Sequence, residues 1–417
     1  MTEKINYLDG LRGVAAINVM IMHFFIVLVP AMIYSDRMPS HLGHLEQIFS
    51  STPLGLIGAG NFSVCIFFVL SGYVLTQKYF RTRDKKIIIS GAVRRYIRLF
   101  VPVLAATILS FLLASTGVFH YYIETVMVSG NNNYANYWTF MPDIVDAVRQ
   151  AVWGSFFTGN DTYNPVLWTM TIEFYGSMLV FAMALLFGVQ RARWTFYLAA
   201  AVFFFNSYYF AFIIGMGLAD IFNSKSADTF NSKTSVFKTN NKIILSAILF
   251  SGLFLGSYPV GTVKNDSLYG FLNNGLFEIP KLTYHILGAG MIMYVLLNSG
   301  WLQKVFSSPV PVFLGKISYS LYLIHFLIIS SFTCALFLAL HPVLPYLIAA
   351  FISCFLSVLL IIPLSYLFYK YVDMAGVGLS KIFYNRVVHP FISGTSENMK
   401  QKHLSSIIFG IYNKLFK

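Results

Sequence analysis

Asp9-Gly-Leu-Arg-Gly-Val-Ala-Ala-Ile-Asn-Val-Met-Ile-Met-His-Phe-Phe25 opens an apolar run that continues to about Tyr34. A membrane-spanning helix needs ~20 such residues, so the run is long enough to cross a bilayer. Arg12 and His23 sit inside it. Their separation is three helical turns at ~3.6 residues per turn, which places both on one face, ~16 Å apart. A guanidinium in a membrane helix costs ~2.5 kcal/mol or more. An arginine near a helix end can snorkel to the interface. A lone histidine can bond a neighbouring backbone. Both groups on one stripe point instead to function.

Composition supports the same class. Of 417 residues, 57% are hydrophobic and 11% are charged, against about 25% charged in a soluble domain. The formal charge of +13 comes from Lys and Arg gathered between apolar runs, as orientation in a bilayer requires. It is not a nucleic-acid signal. Cys65, Cys334 and Cys354 lie in apolar runs and offer neither zinc spacing nor a disulfide framework, so no metal is expected. The first run is too long and too polar for a cleavable signal. No internal repeat, Gly-rich phosphate loop or Walker pattern is visible, which argues against ATP-driven transport by this chain.

Nine further apolar runs come after it, at about 61–79, 99–119, 166–188, 194–205, 208–222, 243–258, 282–302, 313–340 and 344–371. Arg81, Arg83, Lys85, Lys86, Arg94, Arg95 and Arg98, opposed only by Asp84, read as a cytoplasmic loop. The segment 121–164 carries Glu124, Asp143, Asp146 and Asp161 against Arg149 alone and reads as external. Within it Ile144, Val145, Val148, Ala151 and Val152 recur at helical spacing after Asp143, a good N-cap. They predict an amphipathic helix on the membrane or over the mouth of the bundle. The expected fold is all-α: a polytopic integral-membrane bundle of about ten transmembrane helices with both termini cytoplasmic. Every strongly basic loop then faces one side. Residues 1–373 form the membrane domain. Residues 374–417 form a basic tail whose Leu404, Ile407, Ile408, Ile411, Tyr412, Leu415 and Phe416 predict an interfacial helix, about 404–416, against an anionic leaflet of the bilayer.

With that topology the polar groups sort by depth. Arg12 enters from the cytoplasmic end and His23 lies further out. Arg95 and Arg98 share a face at i and i+3 at the inner start of the third span. Glu173 lies ~10 Å below the outer end of the fourth. Ser318, Tyr322 and His325 occupy one stripe of the ninth, with His325 near mid-membrane. Guanidinium groups bind phosphate bidentately, while His and Glu suit proton transfer. Ser71-Gly72 reads as a close helix contact of the small-residue kind or as an approach to a ligand. His285 and Asp220 are assigned to structure.

Five pieces of this chain resemble, in order, the integral-membrane acyltransferase-3 family. They are Arg12 to His23 as R-x10-H; Phe67-Phe-Val-Leu-Ser-Gly-Tyr73; Arg95 to Arg98 as R-x-x-R; Leu167-Trp-Thr-Met-Thr-Ile-Glu173; and Gly315-Lys-Ile-Ser-Tyr-Ser-Leu-Tyr-Leu-Ile-His325. Together they cover about residues 5 to 373. The resemblance implies transfer of an acyl group, usually acetyl from acetyl-CoA, to a hydroxyl of an extracytoplasmic glycan or glycolipid at a bacterial inner membrane. It implies that Arg12 and His23 are essential and that Arg95 and Arg98 contact the coenzyme, with Arg12 and Ser71 close by. His23 would be general base or acyl carrier, Glu173 would orient His23 or the acceptor, and Tyr322 or His325 would be an oxyanion donor. A separate soluble acyl-transfer partner is an open expectation. The competing class is a secondary transporter or flippase, since intramembrane His, Glu and Arg also mark substrate pathways.

Overall fold

The computed structural model describes residues 5–224 and 239–392, except 262, 264, 266, 274 and 276. The expected interfacial helix at 404–416 and most of the basic loop before Lys242 lie outside the described residues. The fold is all-helical. Its principal helices are α1 (Asn6–Leu28), α2 (Gly60–Thr82), α3 (Lys85–Ser115), α4 (Trp168–Phe187), α5 (Arg193–Phe203), α6 (Tyr209–Asn223), α7 (Lys242–Gly256), α8 (Pro280–Asn298), α9 (Gly300–Phe306), α10 (Pro309–Ile328) and α11 (Tyr346–Phe368).

Among the described residues six helices are long and apolar enough to cross a membrane: Asn6–Leu28, Gly60–Thr82, Lys85–Ser115, Pro165–Phe187, Pro309–Leu340 and Tyr346–Val388. The other four expected spans are helical but short or bent. α5 has 11 residues, ~16 Å of helix against a ~30 Å hydrocarbon core. α6 and α7 have 15 each. α8 and α9 bend by 102° at Ser299 and count as a seventh span only if taken as one. Large apolar side chains on outward faces, such as Phe203, Ile243, Phe250 and Phe351, suit a lipid solvent rather than water.

Local chemistry sets several boundaries away from the expected ones. α1 stops at Leu28, because Pro30 lacks an N–H and pushes Val29 out of the helical region. α3 starts at Lys85, capped by the Asp84 carboxylate accepting from the Lys86 backbone N–H at 2.9 Å. Arg94, Arg95 and Arg98 therefore stand inside a 31-residue helix, not in a loop. Asp143 caps Ile144–Arg149 as expected, accepting from Val145 and Asp146 at 2.7 and 3.0 Å. That helix runs on as Gln150–Thr158 along the flanks of α3 and α4 instead of lying over the bundle. The Tyr96 hydroxyl donates to the Val152 carbonyl at 2.6 Å, and the Thr171 hydroxyl to that of Ser155 at 2.8 Å. Its inward face is Ala147 and Ala151, while Val145, Val148 and Val152 point outward. The last helical run passes Asp373 without a break, through Met374–Phe383.

The packing that positions the site is the crossing of α1 with α10. A Cβ on Gly13 would lie 2.4 Å from the Gly315 nitrogen, and one on Gly315 2.0 Å from the Asp9 carbonyl oxygen. Only glycine permits that approach. Gly13 meets Gly315 and, ten residues on in both helices, His23 meets His325. The two helices thus run parallel in register, and the stripe of Arg12 and His23 faces the stripe of Ser318, Tyr322 and His325.

Candidate active site

A cavity of about 320 Å³ opens beside this crossing. α1 supplies Asp9 and Arg12, α2 Phe67 and Ser71, α3 Arg95 and Arg98, α4 Thr169 and Glu173, and α10 Lys316, Ser318, Tyr319 and Tyr322. The structure thus brings Arg12, Ser71, Arg95, Arg98, Glu173 and Tyr322 together around one cavity. Each arginine faces a carboxylate. Arg12 Nη1 donates to Asp9 Oδ1 at 3.1 Å. Arg95 pairs with Glu173 and donates from Nε to the Ser177 hydroxyl at 2.8 Å. Arg98 pairs with Asp373 and lies over the Tyr319 ring, 5.5 Å from its centroid.

Glu173 also accepts from the Ser71 hydroxyl at 2.8 Å. It is therefore turned to the arginine cavity and not to His23, which corrects its expected place as orienter of that ring. Adjacent residues of α2 divide the two readings of Ser71-Gly72. Ser71 faces the cavity. A Cβ on Gly72 would lie 2.2 Å from the Phe212 carbonyl, so Gly72 is the close contact with α6. Neighbouring helical residues point about 100° apart, which lets one dipeptide serve both.

His23 and His325 do not line the cavity. They lie beyond its Tyr322 end, with His23 Nδ1 3.0 Å from His325 Nε2. His325 is fully buried and His23 half-buried. Their surroundings are aromatic. Phe326 sits 4.8 Å from the His23 ring and is itself flanked by Trp138, Tyr122 and Tyr137. The Tyr322 hydroxyl donates to the Val166 carbonyl at 3.0 Å and accepts from Thr169 at 3.0 Å. Its proton is thus committed, and the ring stands as a wall between cavity and histidine pair. In the segment 121–164, burial raises the Asp161 carboxyl above the usual carboxylate range. Burial, with Tyr134 and Asp161 nearby, pushes the Tyr137 hydroxyl up to about 12.

Sequence reasoning missed Asp9, Lys316, Tyr319, Thr169 and Asp373. Asp9 had a signal, since it stands at i−3 from Arg12 in the same stretch. Lys316 reads as the mark of an inside turn and Asp373 as the end of the membrane domain. His285 and Asp220 are structural, as expected. His285 bonds Asn61 and the Tyr258 carbonyl at 2.8 and 3.1 Å. Asp220 accepts from Arg193 Nε at 2.6 Å.

The cationic cavity and the two imidazoles beyond it thus lie inside one apolar helical bundle. Residues 5–366 match the acyltransferase-3 family, described as an acyltransferase domain, and the chain belongs to that family. It is similar to the O-acetyltransferase PaAT-1 of Phomopsis amygdali, at 27% identity over 93% of this chain and 86% of that protein. It is similar to an acyltransferase of Phoma sp., at 24% identity over 79% and 84%. It is also similar to a putative O-acetyltransferase of Staphylococcus aureus (strain COL), at 26% identity over 79% of this chain and 52% of that one. No solved structure matches. The protein is thus an acyltransferase. Tyr369, Asp373, Met374 and Val377 line the cavity from beyond the matched residues.

Proposed function

We propose that the protein moves an acetyl group from cytoplasmic acetyl-CoA to a hydroxyl of an extracytoplasmic glycan or glycolipid. One observation carries the reading: a single parallel helix pair, α1 and α10, bears Arg12 and Lys316 at one end and His23 and His325 eleven and nine residues further on. Arg12, Arg95, Arg98 and Lys316 against Asp9, Glu173 and Asp373 leave the cavity with one excess positive charge. Guanidinium forks can exchange a carboxylate partner for a phosphate oxygen. Lys316, at the rim, has no carboxylate partner among the described residues and rests 5.4 Å from the Tyr369 ring. These groups hold the donor's phosphates.

His23 takes the proton of the acceptor hydroxyl. The freed oxygen forms a C–O bond with the thioester carbonyl as the C–S bond breaks, and the proton passes to the leaving thiolate. Orientation comes from charge. Ten crossings with both termini cytoplasmic place α1 and α10 in the same sense, which agrees with their parallel packing. A bacterial inner membrane would separate such a donor from such an acceptor.

The test is direct. Purified full-length protein in lipid nanodiscs is supplied with acetyl-CoA carrying a radiolabelled acetyl group and with extracted envelope glycolipid. Label in the lipid fraction, absent with His23→Ala, is expected. A protein that consumes no acetyl-CoA, with or without acceptor, would overturn the proposal.

A further inference from the structure

We propose that His325 is a positioning residue that keeps Nε2 of His23 free of a proton and shares the charge His23 acquires. The inference rests on the acyl-transfer reading. Its geometry does not. His23 Nδ1 lies 2.9 Å from the Val19 carbonyl oxygen and 3.0 Å from His325 Nε2. A carbonyl only accepts, so the Nδ1 of His23 carries the proton. His325 Nδ1 lies 2.8 Å from the Leu321 carbonyl oxygen and carries a proton for the same reason. His325 is then bare at Nε2, the atom that faces the Nδ1–H of His23.

The order of donors is therefore fixed by backbone. His325 donates to Leu321, and His23 donates to His325 and Val19. Each carbonyl lies four residues before its histidine on the same helix, so α1 and α10 each dictate one tautomer. The remaining ring nitrogen is Nε2 of His23, on the more open of the two rings, with no partner among the described residues. That is the lone pair a general base needs.

The same arrangement stabilises the ring after proton uptake. Once Nε2 of His23 is protonated the ring is a cation, and its Nδ1–H points at a neutral imidazole lone pair. The bond becomes charge-assisted and stronger. This is the part a carboxylate plays behind the histidine of a serine-protease triad. No carboxylate pairs with either ring among the described residues. His325, with its single N–H spent on Leu321, has none to offer an oxyanion. That reverses its expected part as an alternative oxyanion donor to Tyr322.

Kinetics on full-length protein test the role. Loss of one charge-assisted bond should lower kcat of His325→Ala about 10- to 100-fold with the KM for acetyl-CoA unchanged. His325→Gln, whose Oε1 reaches as far as Nε2 and accepts a hydrogen bond, should recover most of that loss. Unchanged kcat in His325→Ala overturns the proposal. So does a folded His325→Gln as slow as His325→Ala. A second readout needs no turnover. Nitrogen NMR of labelled histidines, assigned with the two variants, should show both His23 and His325 protonated on Nδ1. His23 protonated on Nε2 would overturn the arrangement whatever the enzyme transfers. Absence of acyl transfer with the tautomers as stated would instead count against the reaction.

Discussion

The two ends of the α1–α10 pair solve opposite problems. At one end each arginine has a carboxylate: Asp9 for Arg12, Glu173 for Arg95 and Asp373 for Arg98. Eleven residues along α1 from Arg12, two imidazoles sit among Phe326, Trp138 and Tyr122, and among the described residues they bond only backbone carbonyls and each other. A fixed cation in a low-dielectric bundle needs an anion, and it can trade that anion for a substrate's phosphate. A base must reach the reaction uncharged, and an anion beside it would raise its affinity for a proton. The difference teaches that Arg12 and His23, one stripe of one helix, belong to two chemical compartments with the Tyr322 ring between them.

The comparison breaks most sharply at His23. His23→Ala should lower acetyl transfer by ~10²–10⁴-fold while acetyl-CoA affinity stays unchanged. Turnover by a well-expressed His23→Ala would remove the histidine end from the chemistry. At the arginine end the leading effect is on stability. The Arg95 and Glu173 side chains are 14% and 13% exposed, so Glu173→Gln leaves a buried guanidinium without its anion. Breaking such a pair costs ~3–5 kcal/mol. Thermal unfolding in detergent should show it, and Arg95→Met/Glu173→Leu should unfold at a higher temperature than Glu173→Gln. Equal stability of all three would mean the pair is solvated. The wall should matter least. Tyr322→Phe keeps the ring and loses the hydroxyl's hydrogen bonds with Val166 and Thr169, each worth ~0.5–1.5 kcal/mol. Activity is expected within about tenfold of the parent; abolition would make the hydroxyl a direct participant.

Much of the site is legible in the sequence because its residues repeat at helical spacing. Periodicity alone places Arg12 with His23, Arg95 with Arg98, and Ser318 with Tyr322 and His325 on shared faces. What spacing cannot show is which faces meet. That depends on Gly13 and Gly315, whose close approach is invisible in a hydropathy profile. Depth groups Glu173 with the histidines, but its partner comes from α3. The expected cytoplasmic loop around Arg95 is helix, since lysine and arginine are good helix formers as well as orientation signals. Asp373 reads as the end of a domain because charge rises there, yet the helix continues and carries it back over Arg98. The ten apolar runs are helices, but hydropathy reports affinity for an apolar interior and not length. Hence α5, α6 and α7 share that signal with the six long helices while falling short of ~20 residues.

The central claim is that donor binding and base catalysis occupy separate ends of one helix pair. Isothermal titration of acetyl-CoA into purified parent, His23→Ala, Arg98→Ala and Arg98→Lys proteins tests it most directly. His23→Ala should bind as the parent does. Arg98→Ala should bind ~1.5–3 kcal/mol more weakly for one lost charge-assisted contact. Arg98→Lys should recover only part, because an ammonium cannot make the forked contact. Unchanged affinity in a correctly inserted Arg98→Ala, or a loss in His23→Ala as large as that in Arg98→Ala, would contradict the separation.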